Sequence, residues 1–124
     1  MQRLKTVMRV QAIVLLAYGL PYFLAPGWAL AVTQQPAVPE NYILRSLGIA
    51  FIVLAGLELK IVGDLAGHRD LSLAYAVLPA AYCVTILLQL LTTGFNGAAW
   101  FWWLNVLVTG GFAVALFVAR RQGR

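Results

Sequence analysis

"LSLAYAVLPAAYCVTILLQLLTTGFNGAAWFWWLNVLVTGGFAVALFVA", residues 71–119, holds no charged side chain; Asp70 precedes it and Arg120 follows. A membrane-crossing helix needs about 20 apolar residues. A run of 49 residues is too long for one buried helix and fits two spans with a turn between them. The turn is "TTGFNG", 92–97, where Gly and Asn allow the chain to reverse. The spans are then about 71–91 and 98–119.

The rest of the chain follows the same pattern. "TVMRVQAIVLLAYGLPYFLA", 6–25, is a first span, with Pro21 placed to kink or end it. "PGWALAV", 26–32, reads as a short interfacial helix, with Pro26 at a first helical position and Trp28 at headgroup level. "TQQPAVPEN", 33–41, is a polar loop with two prolines. "YILRSLGIAFIVLAGLELKIV", 42–62, is the second span, and "GDLAGHRD", 63–70, is a polar turn. Arg3, Lys5 and Arg9 ahead of "AIVLLAYGL", with "ALA" at 29–31, imitate a signal peptide; the reading taken is a signal-anchor that stays as the first span.

Composition agrees. The 124 residues are 62% hydrophobic and 10% charged, with a mean hydropathy of +0.84. Soluble domains carry about 25% charged residues. The net charge of +5 does not indicate nucleic acid, because the basic residues cap apolar segments and form no stripe. Four spans put Arg3, Lys5, Arg9, Lys60, Arg69, Arg120, Arg121 and Arg124 on one side and only Arg45 on the other. Such a bias marks the cytoplasmic side. The expected fold is therefore all-α: one membrane domain, an up-down four-helix bundle with both termini cytoplasmic.

Several residues invite chemistry. Glu58 lies near the cytoplasmic end of span two, roughly 6 Å below the interface at 1.5 Å per residue. An intramembrane carboxylate is a functional-site candidate, with Arg9 or Arg69 as ion-pair partner or a proton as coupled ligand. Lys60 is placed to pair with Asp64 at i+4. Depth alone lets Arg45, Gln89, Asn105 and Tyr22 line one outward-facing polar pocket, while a snorkelling Arg45 is the alternative. Small residues at Ser72, Ala76 and Ala80, at Gly111, Ala115 and Ala119, and at Gly48 and Ala55 suit close helix packing. Pro79 predicts a bend in span three.

"AAWFWWLNVL", 98–107, reads as a waterline marker, with Trp28, Trp100, Trp102 and Trp103 as interface anchors. Successive helical residues point about 100° apart, so one ring of the row must turn inward, and Phe101 shares its face with Asn105. No metal or cofactor is expected: His68 is the only histidine, Cys83 the only cysteine, and no catalytic or phosphate-binding motif is present.

The layout "YGLPYFLAPGWAL", a polar loop, then "ILRSLGIAFIVLAGLEL" resembles the small four-span bacterial membrane proteins of the DoxX-like kind. The resemblance implies an inner-membrane protein and no particular functional residue. Three functions fit. The expected one is an auxiliary or structural subunit that interacts with lipid, as a homo-oligomer or within a larger membrane complex. The second is an oligomeric transporter of ions or small molecules using Glu58 or Arg45. The third is a membrane enzyme or a binder of a lipophilic ligand.

Overall fold

The computed structural model describes residues 2–122 and is all-helical there. Four long helices are joined by short connections: α1 (Gln2–Leu24), α3 (Tyr42–Gly63), α4 (Arg69–Leu91) and α5 (Ala99–Gln122). A short α2 (Pro26–Val32) follows α1. All four long helices are long and apolar enough to cross a membrane. Arg124, counted above among the basic residues of one side, lies outside the described residues.

Local chemistry explains the boundaries. Pro21 sits inside α1 without ending it, and the Ala25 amide still reaches the Pro21 carbonyl at 2.8 Å. A proline's missing N–H is best tolerated in the first turn, which is where Pro26 opens α2. The loop that follows contains Gln34 at φ 56°, and Pro36 and Pro39 keep it from turning helical. α5 runs past the expected end through Arg120 and Arg121, whose positive charges suit a helix C-terminus. α4 passes Pro79 as one helix, and Pro79 is buried.

α1 packs chiefly on α3 and α4 chiefly on α5, with looser contacts between α1 and α5 and between α3 and α4. One cluster of buried residues ties the start of α1 (Leu4, Met8) to the end of α3 (Ile61, Val62), to Leu65 beyond it, to the start of α4 (Tyr75, Ala76) and to the end of α5 (Leu116, Ala119). This end of the assembly is solid. In α1, Leu4, Met8, Gln11, Ala12 and Gly19 are the buried residues, spaced as one helical face.

The closest approach is between α1 and α3. A methyl group on Gly48 would lie 2.6 Å from the Gly19 carbonyl oxygen and 2.6 Å from the Phe23 nitrogen. One on Gly19 would lie 2.8 Å from the Gly48 carbonyl oxygen. Of the small residues expected at helix contacts, Gly48, Ala55, Ser72, Ala76 and Ala119 are buried, whereas Ala80 and Ala115 are half-buried. Gly111 departs from expectation: it is exposed, because α5 turns Ala113 and Leu116 inward instead.

Candidate functional site

Away from the solid end, the two helix pairs enclose a cavity of about 410 Å³. It lies toward the end of α1, the start of α3, the end of α4 and the start of α5. Its walls are mostly apolar: Leu15, Phe51, Ile86, Phe101 and Phe112 contribute, one or two from each helix. Pro79 lines it too. Leu47, Tyr82, Thr85 and Gln89 are lining residues that also stay exposed, so the cavity is open along the loosely packed seam between α3 and α4.

A few polar groups face these walls. Tyr18 donates its hydroxyl to the Asn105 Oδ1, joining α1 to α5 across the cavity. Gln11 is 5% exposed; its Nε2 donates to the Tyr75 carbonyl at 3.0 Å. Its Oε1 has no hydrogen-bond partner among the described residues. Burying an unpaired amide oxygen costs about 1–3 kcal/mol.

Two rings of the aromatic row, Phe101 and Trp102, roof the cavity. Phe101 is the ring that turns inward, 5% exposed, directly above buried Asn105 on the same face of α5. Its ring packs near Tyr18 at 6.5 Å and against Trp102 at 5.2 Å. Trp102 stacks on Phe95 with centroids 4.0 Å apart and planes 10° apart, and both line the cavity. The Trp102 indole N–H donates to Gln35 Oε1 at 3.0 Å, and that of Trp100 to Gln34 Oε1 at 2.9 Å. Backbone bonds complete the joint, with the Ala98 amide donating to the Gln34 carbonyl at 3.0 Å. The loop after α2 is thus latched to the start of α5.

The sequence candidates divide accordingly. Tyr22, Gln89 and Asn105 line the one cavity. Arg45 does not join them; its side chain is exposed and absent from the lining, as a charged group on a lipid-facing helix start would be when it reaches for water. Asn105 meets neither Arg45 nor Gln89 but Tyr18, and Gln89 instead donates to Thr93 and to the Gly94 carbonyl. Trp28, Trp100 and Trp103 are exposed. Trp102, expected as an interface anchor like the other three, is half-buried in the roof, where its indole N–H finds Gln35.

Glu58 lies outside the cavity and is fully buried in the α3 face that carries Gly48, Ala55 and Val62. Neither carboxyl oxygen has a hydrogen-bond partner among the described residues. The expected pair with Arg9 is not formed: Arg9 is exposed, on a face of α1 away from buried Met8. Arg69 is likewise engaged elsewhere, on Arg120. Lys60 does not pair with Asp64, which takes His68 at 3.6 Å.

Gln11 went unmarked as a cavity residue in the sequence. Helical spacing alone held the signal, because Gln11 shares the face of Leu4, Met8 and Gly19, four residues whose spacing fits one buried stripe. Among the described residues, no group of three or more His, Cys, Asp or Glu side chains is placed to hold a metal ion. Compared with known proteins, the chain matches no family model, no curated protein and no solved structure.

Proposed function

We propose that the protein binds a lipophilic small molecule with a small polar end, inside the membrane, in the cavity between its two helix pairs. The observation that carries this is the cavity itself: about 410 Å³, lined mostly by apolar side chains from all four long helices, with Gln11, Tyr18 and Asn105 among the few polar residues of its lining. Ligand sites have volumes of about 300–1,000 Å³, apolar linings and a few fixed polar groups. The Tyr18–Asn105 pair would orient the ligand's polar end, and the exposed seam between α3 and α4 admits it sideways from lipid.

This reading belongs with the topology that charge suggests. We place the chain as an up-down four-helix bundle with both termini cytoplasmic, on the eight-to-one distribution of Lys and Arg, and in a bacterial inner membrane on its resemblance to the DoxX-like proteins. The cavity then opens in the outer leaflet. Membership of the DoxX-like group is proposed on the sequence pattern alone. A role as an auxiliary subunit is compatible with ligand binding, but the cavity makes the ligand the more specific proposal. A coupled transporter remains the second reading, on the observation that Glu58 is buried with both carboxyl oxygens unpartnered; it requires loss of proton-driven flux in liposomes on Glu58→Gln.

The test is ligand retention. The full chain, purified in mild detergent, is titrated with the apolar dye 1-aminoanthracene, and its extract is searched by mass spectrometry for a retained lipophile. Saturable dye binding near one per chain is expected. Thr109→Trp, which fills the cavity from α5, should abolish it while the helical circular dichroism stays unchanged. Equal binding by wild type and Thr109→Trp overturns the proposal.

A further inference from the structure

The charge-free run of residues 71–119 is bounded by Arg69 and Asp70 at one end and by Arg120 and Arg121 at the other. The fold brings the two boundaries together. Arg69 Nη2 donates to the Arg120 carbonyl at 2.8 Å, and Arg120 Nη1 donates to the Arg69 carbonyl at 2.8 Å and to the Ser72 hydroxyl. Each guanidinium spends one nitrogen on the neighbouring helix and keeps its other donors. The reciprocal bonds hold both planar groups in place, so little side-chain freedom is left to lose when an anion arrives.

Between these ends is a groove of about 450 Å³, lined by Arg69, Asp70, Leu73, Phe117, Arg120 and Arg121. It is separate from the cavity described above and shares no residue with it. Three arginines meet here, and none forms an ion pair within 4.0 Å among the described residues, where the one ion pair joins His68 to Asp64. Asp70 offsets one charge of the three. One turn inward, on the same helical faces as Arg69 and Arg121, stand Leu73 and Phe117, exposed at 42% and 39%. The groove therefore carries cationic donors where the apolar helices end and an apolar flank directly below them.

We infer that this groove binds an anionic phospholipid. The phosphate sits among the free N–H groups of Arg69, Arg120 and Arg121, and an acyl chain lies along Leu73 and Phe117. Guanidinium matches phosphate in charge and in fork geometry, and a neutral headgroup gains less from three unpaired cations. Basic pockets between membrane helices are a general means of holding such lipids. The inference rests on the helices spanning a membrane but not on the cavity ligand.

The test uses the full-length chain in nanodiscs of equal phosphatidylcholine and phosphatidylglycerol, with the lipids that stay bound on release counted by native mass spectrometry. Wild type should retain phosphatidylglycerol in preference. Arg69→Gln and Arg121→Gln should each lower that preference by about five-fold, and Arg45→Gln, near the start of α3 and outside the groove, should leave it unchanged. Arg121 is exposed and makes no hydrogen bond among the described residues, so its variant should fold even if Arg69→Gln does not. Equal retention of the two lipids by wild type overturns the inference, as does an unchanged preference in Arg121→Gln. Release of phosphatidylglycerol by low-millimolar inorganic phosphate overturns it in favour of a free anion. Failure of the wild type to enter discs at all would count against the membrane reading instead.

Discussion

Gly48→Ala should destabilise the helix assembly, although alanine is the better helix former. The added methyl would stand 2.6 Å from the Gly19 carbonyl oxygen, where ordinary contact begins at 3.4 Å. The obstacle is backbone on both sides, the Gly19 carbonyl and the Phe23 nitrogen, so no side chain can swing away. α1 and α3 must part by about 0.8 Å, the difference between those distances. A gap of that size forfeits about a quarter to a half of each affected dispersion contact, and overpacking costs about 1–3 kcal/mol. Helix propensity returns at most about 1 kcal/mol. In lipid no hydrophobic expulsion restores the contact, because the competing surface is equally apolar. Gly56→Ala is the control on the same helix, since a methyl there meets nothing within 4 Å. In an SDS-titrated unfolding assay followed by far-ultraviolet circular dichroism, Gly48→Ala should unfold about 2 kcal/mol more readily than Gly56→Ala. Coincident unfolding curves for the two variants would refute the argument that the Gly19–Gly48 crossing holds α1 on α3.

Two further outcomes are expected. Glu58→Leu should unfold no more readily than wild type in the same assay, because replacing an unpartnered buried polar group by an apolar one of similar size is neutral or stabilising; a loss above about 1 kcal/mol would reveal a partner the carboxyl depends on. Alkaline phosphatase and green fluorescent protein fused in turn to either terminus, and inserted at 37–38, should report the cytoplasm at both termini and the opposite side in the loop; the reverse pattern, or termini on different sides, sinks the proposed topology.

The helices were legible in the sequence because their signal is one-dimensional. Charge-free length, the glycine and asparagine turn at 92–97 and the prolines at 26, 36 and 39 act on the chain locally, wherever it folds. The boundaries moved most at the outer ends, where α1 begins at Gln2 and α5 runs to Gln122, and less within the chain, where α4 begins at Arg69. The inward ring of the aromatic row was partly legible, since helical geometry alone paired Phe101 with Asn105. The partner of Asn105 was not. Depth suggested Arg45 or Gln89, yet which residues meet at one depth depends on how each helix is rotated about its axis.

That rotation is what tertiary packing decided. Mean apolarity is nearly uniform around these helices, so the sequence offers little polar face to orient them. The Gly19–Gly48 contact sets α1 against α3, and in doing so turns Gln11 and Tyr18 toward α4 and α5 and leaves Arg9 outside. The same rotation buries Glu58 without a counter-charge. The chain alone determined how many helices form, where they end and which side their charges favour. Only the assembled structure determined the cavity, because a void between helices belongs to no single segment. It also brought the two ends of the 71–119 run together at Arg69 and Arg120, a meeting across 51 residues that local pattern does not encode.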